Sequence, residues 1–110
     1  MTEWQVFLTE QAEADLRGIY EYIASTLLVP DTAKKFISRI MASIFELRTL
    51  PESYSLYQKE PWRSRGLRRM NTLGYAVFFV AAKSEQAVVV LRIMYGGRNI
   101  DHILEEAPEA

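Results

Sequence analysis

The side chains best equipped for chemistry crowd into one stretch, Lys59-Glu60-Pro61-Trp62-Arg63-Ser64-Arg65-Gly66-Leu67-Arg68-Arg69. Guanidinium forks bind phosphate or carboxylate through paired hydrogen bonds, and the Trp62 face suits cation–π contact or base stacking. The same composition also suits a solvated loop and edge strand kept soluble by charge. Arg92 interrupts the apolar run Val88-Val89-Val90-Leu91 and Ile93-Met94, where a lone charge needs a partner or an open face. Two arrangements satisfy it: a sheet face shared with Arg68 or Arg69, forming a concave anion site, or an ion pair with a helix carboxylate. Tyr95-Gly96-Gly97-Arg98-Asn99 follows and lacks the spacing of a phosphate loop. Its glycines let the chain leave the strand sharply, with Asn99 capping a short C-terminal helix through Leu104. His102, on that acidic turn, reads as a surface residue.

Cleaving RNA through the 2′-hydroxyl requires a base, an acid and positive charge on the phosphate. Arg68, Arg69 and Arg92 can supply the charge. Proton-transfer groups are thin, with only Tyr57, Tyr95, Lys59 and Glu60 near the arginines. No carboxylate cluster suggests a metal, and no Ser or Thr has an obvious partner base. The residues therefore predict no catalytic group, metal or cofactor, and make Trp62, Arg63, Arg65, Arg68, Arg69, Arg92, Tyr95 and Arg98 candidates for binding a partner.

These residues need a scaffold, and apolar periodicity outlines one. Trp4, Val6 and Leu8 alternate as a short strand. Thr9 suits a helix N-cap, with Glu10 and Glu13 where the helix dipole favours carboxylates. Ala12, Leu16, Ile19, Tyr20, Ile23 and Leu27 form one stripe. Pro30 and Asp31 open a second helix carrying Ala33, Phe36, Ile37, Ile40, Met41, Ile44, Leu47 and Leu50, which Pro51 stops. Residues 52–62 connect to strands at Leu67–Met70, Tyr75–Ala82 and Ala87–Tyr95, the last two closed into a hairpin by residues 83–86. The pattern predicts an α+β fold: an N-terminal strand and an antiparallel helical hairpin packed on a mainly antiparallel β-sheet, with a short C-terminal helix. The last two strands are apolar at nearly every position, so their second face must also be covered, either by loops and chain ends or by a partner chain.

At 110 residues, 49% hydrophobic and 25% charged, the chain has the length of one domain, spanning 1–110, and enough apolar material for a core. Its formal net charge of -1 hides segregation: residues 1–58 carry -3, residues 59–98 carry +6 and residues 99–110 carry -4. A basic segment of that kind seeks an anionic partner even when the total cancels. General phosphate binding uses a basic whole domain, so sequence-specific nucleic-acid binding is not expected. The absence of cysteine fits the cytoplasm, the N-terminus lacks the features of a signal peptide, and no apolar run is long enough to span a membrane.

The element order resembles the RelE/ParE toxin superfamily across nearly the whole chain. The residues that carry the resemblance are Thr9, Ala12, Asp15-Leu16, Ile19 and Tyr22-Ile23, then Gly66 to Met70, Tyr75 to Phe79 and Val90 to Asn99. The ending from Tyr95 to Asn99, followed by Ile100, Ile103 and Leu104, is more similar to the ParE branch. Tyr95 stands where histidine is common and Asn99 where aspartate is common. The resemblance implies the toxin of a type II toxin-antitoxin (plasmid stabilisation) system. Such a toxin would bind DNA gyrase, trap its cleaved DNA complex and be neutralised by a cognate, ParD-like antitoxin. Its RelE side implies an alternative, a ribosome-dependent mRNA endonuclease using Arg68, Arg92 and Tyr95. A non-toxic binding module is a third reading. Replacing Arg68 or Arg92 with alanine is expected to leave the fold largely intact and to weaken antitoxin binding.

Overall fold

A computed structural model describes residues 3–96 and Leu104. Arg98, Asn99, His102 and the expected C-terminal helix, Leu104 apart, lie outside the described residues. Strand β1 (Gln5–Leu8) leads into helix α1 (Glu10–Glu21), a π-helical turn (Tyr22–Thr26) and helix α2 (Pro30–Phe45). Strands β2 (Leu67–Thr72), β3 (Tyr75–Ala82) and β4 (Ala87–Tyr95) follow. The four strands form one sheet in the order β1-β4-β3-β2. Both hairpin pairs are antiparallel, whereas β1 runs parallel to β4, so the sheet is mixed. A parallel pair needs a crossover, and the helical hairpin is part of that crossover.

Local chemistry sets the element ends. Thr9 is extended and its Oγ1 accepts from the Ala12 N–H at 3.1 Å, while Glu10 and Glu13 occupy the first turn of α1. The same hydroxyl donates to the Leu91 carbonyl at 3.1 Å, tying the cap to β4. Pro30 occupies the first turn of α2, where its missing N–H costs nothing. The stripe of the first helix does not hold its phase to the end. In the π turn the Leu27 N–H bonds back to the Tyr22 carbonyl, which widens the turn and leaves Leu27 52% exposed. Met41 and Leu50, placed on the second stripe by their spacing, are also exposed.

Both sheet faces are apolar, as the strand sequences require. Helix residues Ala12, Ile19, Ile40 and Ile44 pack on Val77, Phe79, Val88, Val90 and Ile93 on one face. On the other, Ala76, Phe78, Leu91 and Met94 lie under Leu104, Tyr57 and Trp62. Loop and chain-end residues thus cover the second face.

Candidate functional site

The sheet distributes the arginines by register. Arg69 on β2 pairs with Phe78 on β3, which pairs with Arg92 on β4, so these three residues form one row across the sheet. Strand alternation turns Arg68 to the opposite face from Arg69. Between Phe78 and Phe79 the partner on β4 jumps from Arg92 to Val90, which makes Leu91 the extra residue of a bulge.

Arg92 is ion-paired. Its Nε and Nη2 donate to the Asp15 carboxylate of α1 at 2.9 and 3.1 Å, and the Ile93 N–H donates to the same carboxylate at 2.8 Å. The cause is topological. Pairing between β1 and β4 ends at Leu8 and Val90, so the β4 edge beyond has no neighbouring strand, and Asp15 accepts where a strand carbonyl would. Both side chains are mostly buried, 15% and 10% exposed, so of the two arrangements open to Arg92 the helix carboxylate is the one present.

Arg68 reaches across its strand edge to backbone oxygens. Its Nη1 donates to the Tyr54 carbonyl at 2.6 Å and the Glu52 carbonyl at 3.1 Å. Residues 55–57 run beside β2, with the Tyr57 N–H bonded to the Leu67 carbonyl and the Arg69 N–H to the Ser55 carbonyl. They close the outer edge of the sheet. Arg63 and Arg65 are exposed in the turn before β2, where Arg65 lies 5.2 Å from the Trp62 ring centroid. Trp62 itself is half-buried against the second-face cluster. In the same turn the Ser64 hydroxyl and then its N–H, at 3.0 Å, donate to Glu60, and this bonding, helped by Arg63, holds the carboxyl below the usual glutamate range.

Tyr95 ends β4 as a residue 57% exposed, its ring packed edge-on to Tyr75 with centroids 5.9 Å apart. Tyr75 also meets Phe36 edge-on. Burial, with smaller effects from Tyr22 and Tyr95, pushes the Tyr75 phenol above its ordinary value.

The arrangement does not converge Arg68, Arg92 and Tyr95. The two arginines engage acceptors at opposite margins of the β4-β3-β2 sheet, and Tyr95 stands at the end of its strand. What does converge is an open pocket of about 400 Å³ lined by Leu56, Tyr57, Gln58, Lys59, Arg69 and Asn71. A second, more apolar groove of about 320 Å³ runs between Leu8, Leu16 and Met41, flanked by Glu13 and Arg17. Among the described residues, no three His, Cys, Asp or Glu side chains come together as metal ligands, and no helix is long and apolar enough to cross a membrane.

Sequence reasoning missed two participants. Asp15 entered only as part of a family pattern, although its place beside Leu16 on an apolar stripe marks it as a carboxylate near the sheet. Asn71 lies two residues from Arg69 and therefore on the same face of β2, a relation that period-two spacing alone supplies.

Comparisons with known proteins agree with this architecture. The chain resembles a structure of the chromosomal ParDE toxin-antitoxin system from P. aeruginosa, with TM-score 0.70 and 22% identity over 84% of this chain and 96% of that one. It also resembles the toxin-antitoxin complex RelBE2 from Mycobacterium tuberculosis, with TM-score 0.66 and 17% identity over 89% of this chain and 97% of that one. At these identities the likeness is one of fold, and the two helices on a four-strand mixed sheet are RelE/ParE-like. No curated protein matches the chain by sequence. The family model for the ParE toxin of the type II toxin-antitoxin system parDE matches residues 6–100, and the chain belongs to that family.

Proposed function

We propose that this toxin acts by binding DNA gyrase and trapping its cleaved DNA complex, without a catalytic step of its own, and that a cognate antitoxin holds it inactive in the cytoplasm of a cell that uses the pair for plasmid stabilisation. The observation that carries this reading is the engagement of the arginines: Arg92 is held by Asp15 and Arg68 by backbone carbonyls, so neither is free to stabilise a reacting phosphate. The exposed and half-exposed members of the basic segment, Trp62, Arg63, Arg65, Arg69 and Tyr95, together with Arg98, then serve recognition. The antitoxin follows from family membership, and both structural relatives are toxin-antitoxin systems by description. Charge complementarity would steer its encounter with the basic segment. A supercoiling assay with purified gyrase tests the target. Folded toxin is expected to inhibit supercoiling and to accumulate cleaved DNA, and the absence of both would refute the reading.

The exposed ring of Tyr95 favours a second reading, the ribosome-dependent mRNA endonuclease using Arg68, Arg92 and Tyr95. It requires Arg92 to leave Asp15. Primer extension on translated messages tests it, and cutting that survives Arg92→Ala and Tyr95→Phe removes the site.

A further inference from the structure

Arg69 differs from the other sheet arginines in what holds it. Arg92 is neutralised by Asp15 and Arg68 is engaged by two carbonyls. Arg69 donates from Nε to the Asn71 side-chain oxygen at 2.8 Å, and its guanidinium lies 5.7 Å from the Phe78 ring centroid. Neither contact neutralises its charge, and among the described residues Arg69 has no carboxylate partner. Both contacts restrict its orientation, Asn71 by taking the Nε–H and Phe78 by the ring near the guanidinium carbon. Among the described residues no hydrogen bond is made by its Nη nitrogens, which leaves them donors for an oxyanion at a pocket of about 400 Å³ that Arg69 lines with Leu56, Gln58 and Lys59.

We propose that this pocket receives a single carboxylate, the Asp or Glu side chain of the antitoxin segment that neutralises the toxin. This rests on the antitoxin reading above and gives the chemistry by which the partner is recognised. Three features favour a peptide carboxylate over a nucleic-acid phosphate. One oriented guanidinium matches one monovalent anion, whereas a phosphate backbone calls for several cations along its path. Leu56 gives the pocket an apolar wall that peptide side chains can cover. Residues 1–58 carry -3, so a polyanion that extends past the basic segment is repelled where one acidic residue is not.

The full-length toxin titrated with N-acetyl-glutamate amide tests the site, with the Arg69 Nε–H signal followed by NMR. A saturable shift is expected with a Kd on the order of millimolar. Arg69→Gln should abolish it, and Asn71→Ala, which keeps the charge but frees the fork, should weaken it by roughly tenfold. Backbone spectra of both variants check that they fold. An equal shift with N-acetyl-glutamine amide or with sodium chloride at matched ionic strength would overturn the proposal, as would saturation by inorganic phosphate alone. Binding that emerges only when Glu105, Glu106 and Glu109 are changed to Gln would assign the pocket to the chain's own carboxylates and equally overturn it. The antitoxin reading is checked separately, by rescue of growth on co-expression of the neighbouring reading frame, so the two can fail independently.

Discussion

Asp15 accepts three hydrogen bonds from two consecutive residues of β4, and this changes what its neighbours can tolerate. Asp15→Ala leaves a mostly buried guanidinium and the Ile93 N–H without an acceptor, and is expected to cost about 3 kcal/mol. Arg92→Ala is expected to cost about 2 kcal/mol, since the Ile93 N–H still serves the carboxylate. Denaturant midpoints of both variants check this. The expectation that Arg92→Ala spares the fold is therefore revised, because the pair with Asp15 is mostly buried. Tyr75 yields a prediction with a defined sign. Burial raises its folded-state pKa above its unfolded value of about 10, so its contribution is fully present below that pH and lost as pH rises through the raised value. Alkaline unfolding should accordingly shift to higher pH in Tyr75→Phe, as followed by circular dichroism. The charge of Arg92 was conspicuous in the sequence, but its partner was not, because α1 meets the β4 edge only once strand order is known.

At the scale of elements, the residues dictate most of the outline. Strands β3 and β4 and the Thr9 cap sit where alternation and capping chemistry place them. The parallel β1–β4 pairing and the bulge at Leu91 were not legible, since a strand's periodicity identifies its faces and not its neighbour. The pocket around Arg69 was half legible. Its cations stood out in the sequence, but its wall depends on residues 55–57 running along β2. The β2–β3 turn is a local conflict. Leu73 and Gly74 both have positive φ, 51° and 84°, the geometry of a two-residue turn that favours Asn-Gly. Leu73→Asn is expected to stabilise the protein by about 1 kcal/mol, read as a rise in Tm of about 4 °C.

For the molecule as a whole, the charge segregation acquires a location. The net of +6 over residues 59–98 draws mainly on β2 and the turn before it, while Arg92 of the same segment is ion-paired to α1. The all-apolar strands had left open what covers the second face, and Leu104 with Tyr57 and Trp62 answers it. Leu104 is 1% exposed, so this residue from the acidic tail is part of the core. Leu104→Ala is expected to cost about 2 to 4 kcal/mol in equilibrium unfolding, and a cost near zero would show the second face to be covered without it.

The parallel pair also bears on the order of events during synthesis. Gln5 pairs with Ala87, and the Thr9 hydroxyl with the Leu91 carbonyl, so the first strand waits for the last before it has a partner. Such distant pairing must overcome loop closure before it contributes stability. Until β4 leaves the ribosome, the emerging chain has a helical hairpin and no completed sheet to receive it. A message broken or stalled before the codon for Ala87 therefore yields a fragment in which β1 has no strand to pair with. The complete sheet thus exists only after β4 has been translated.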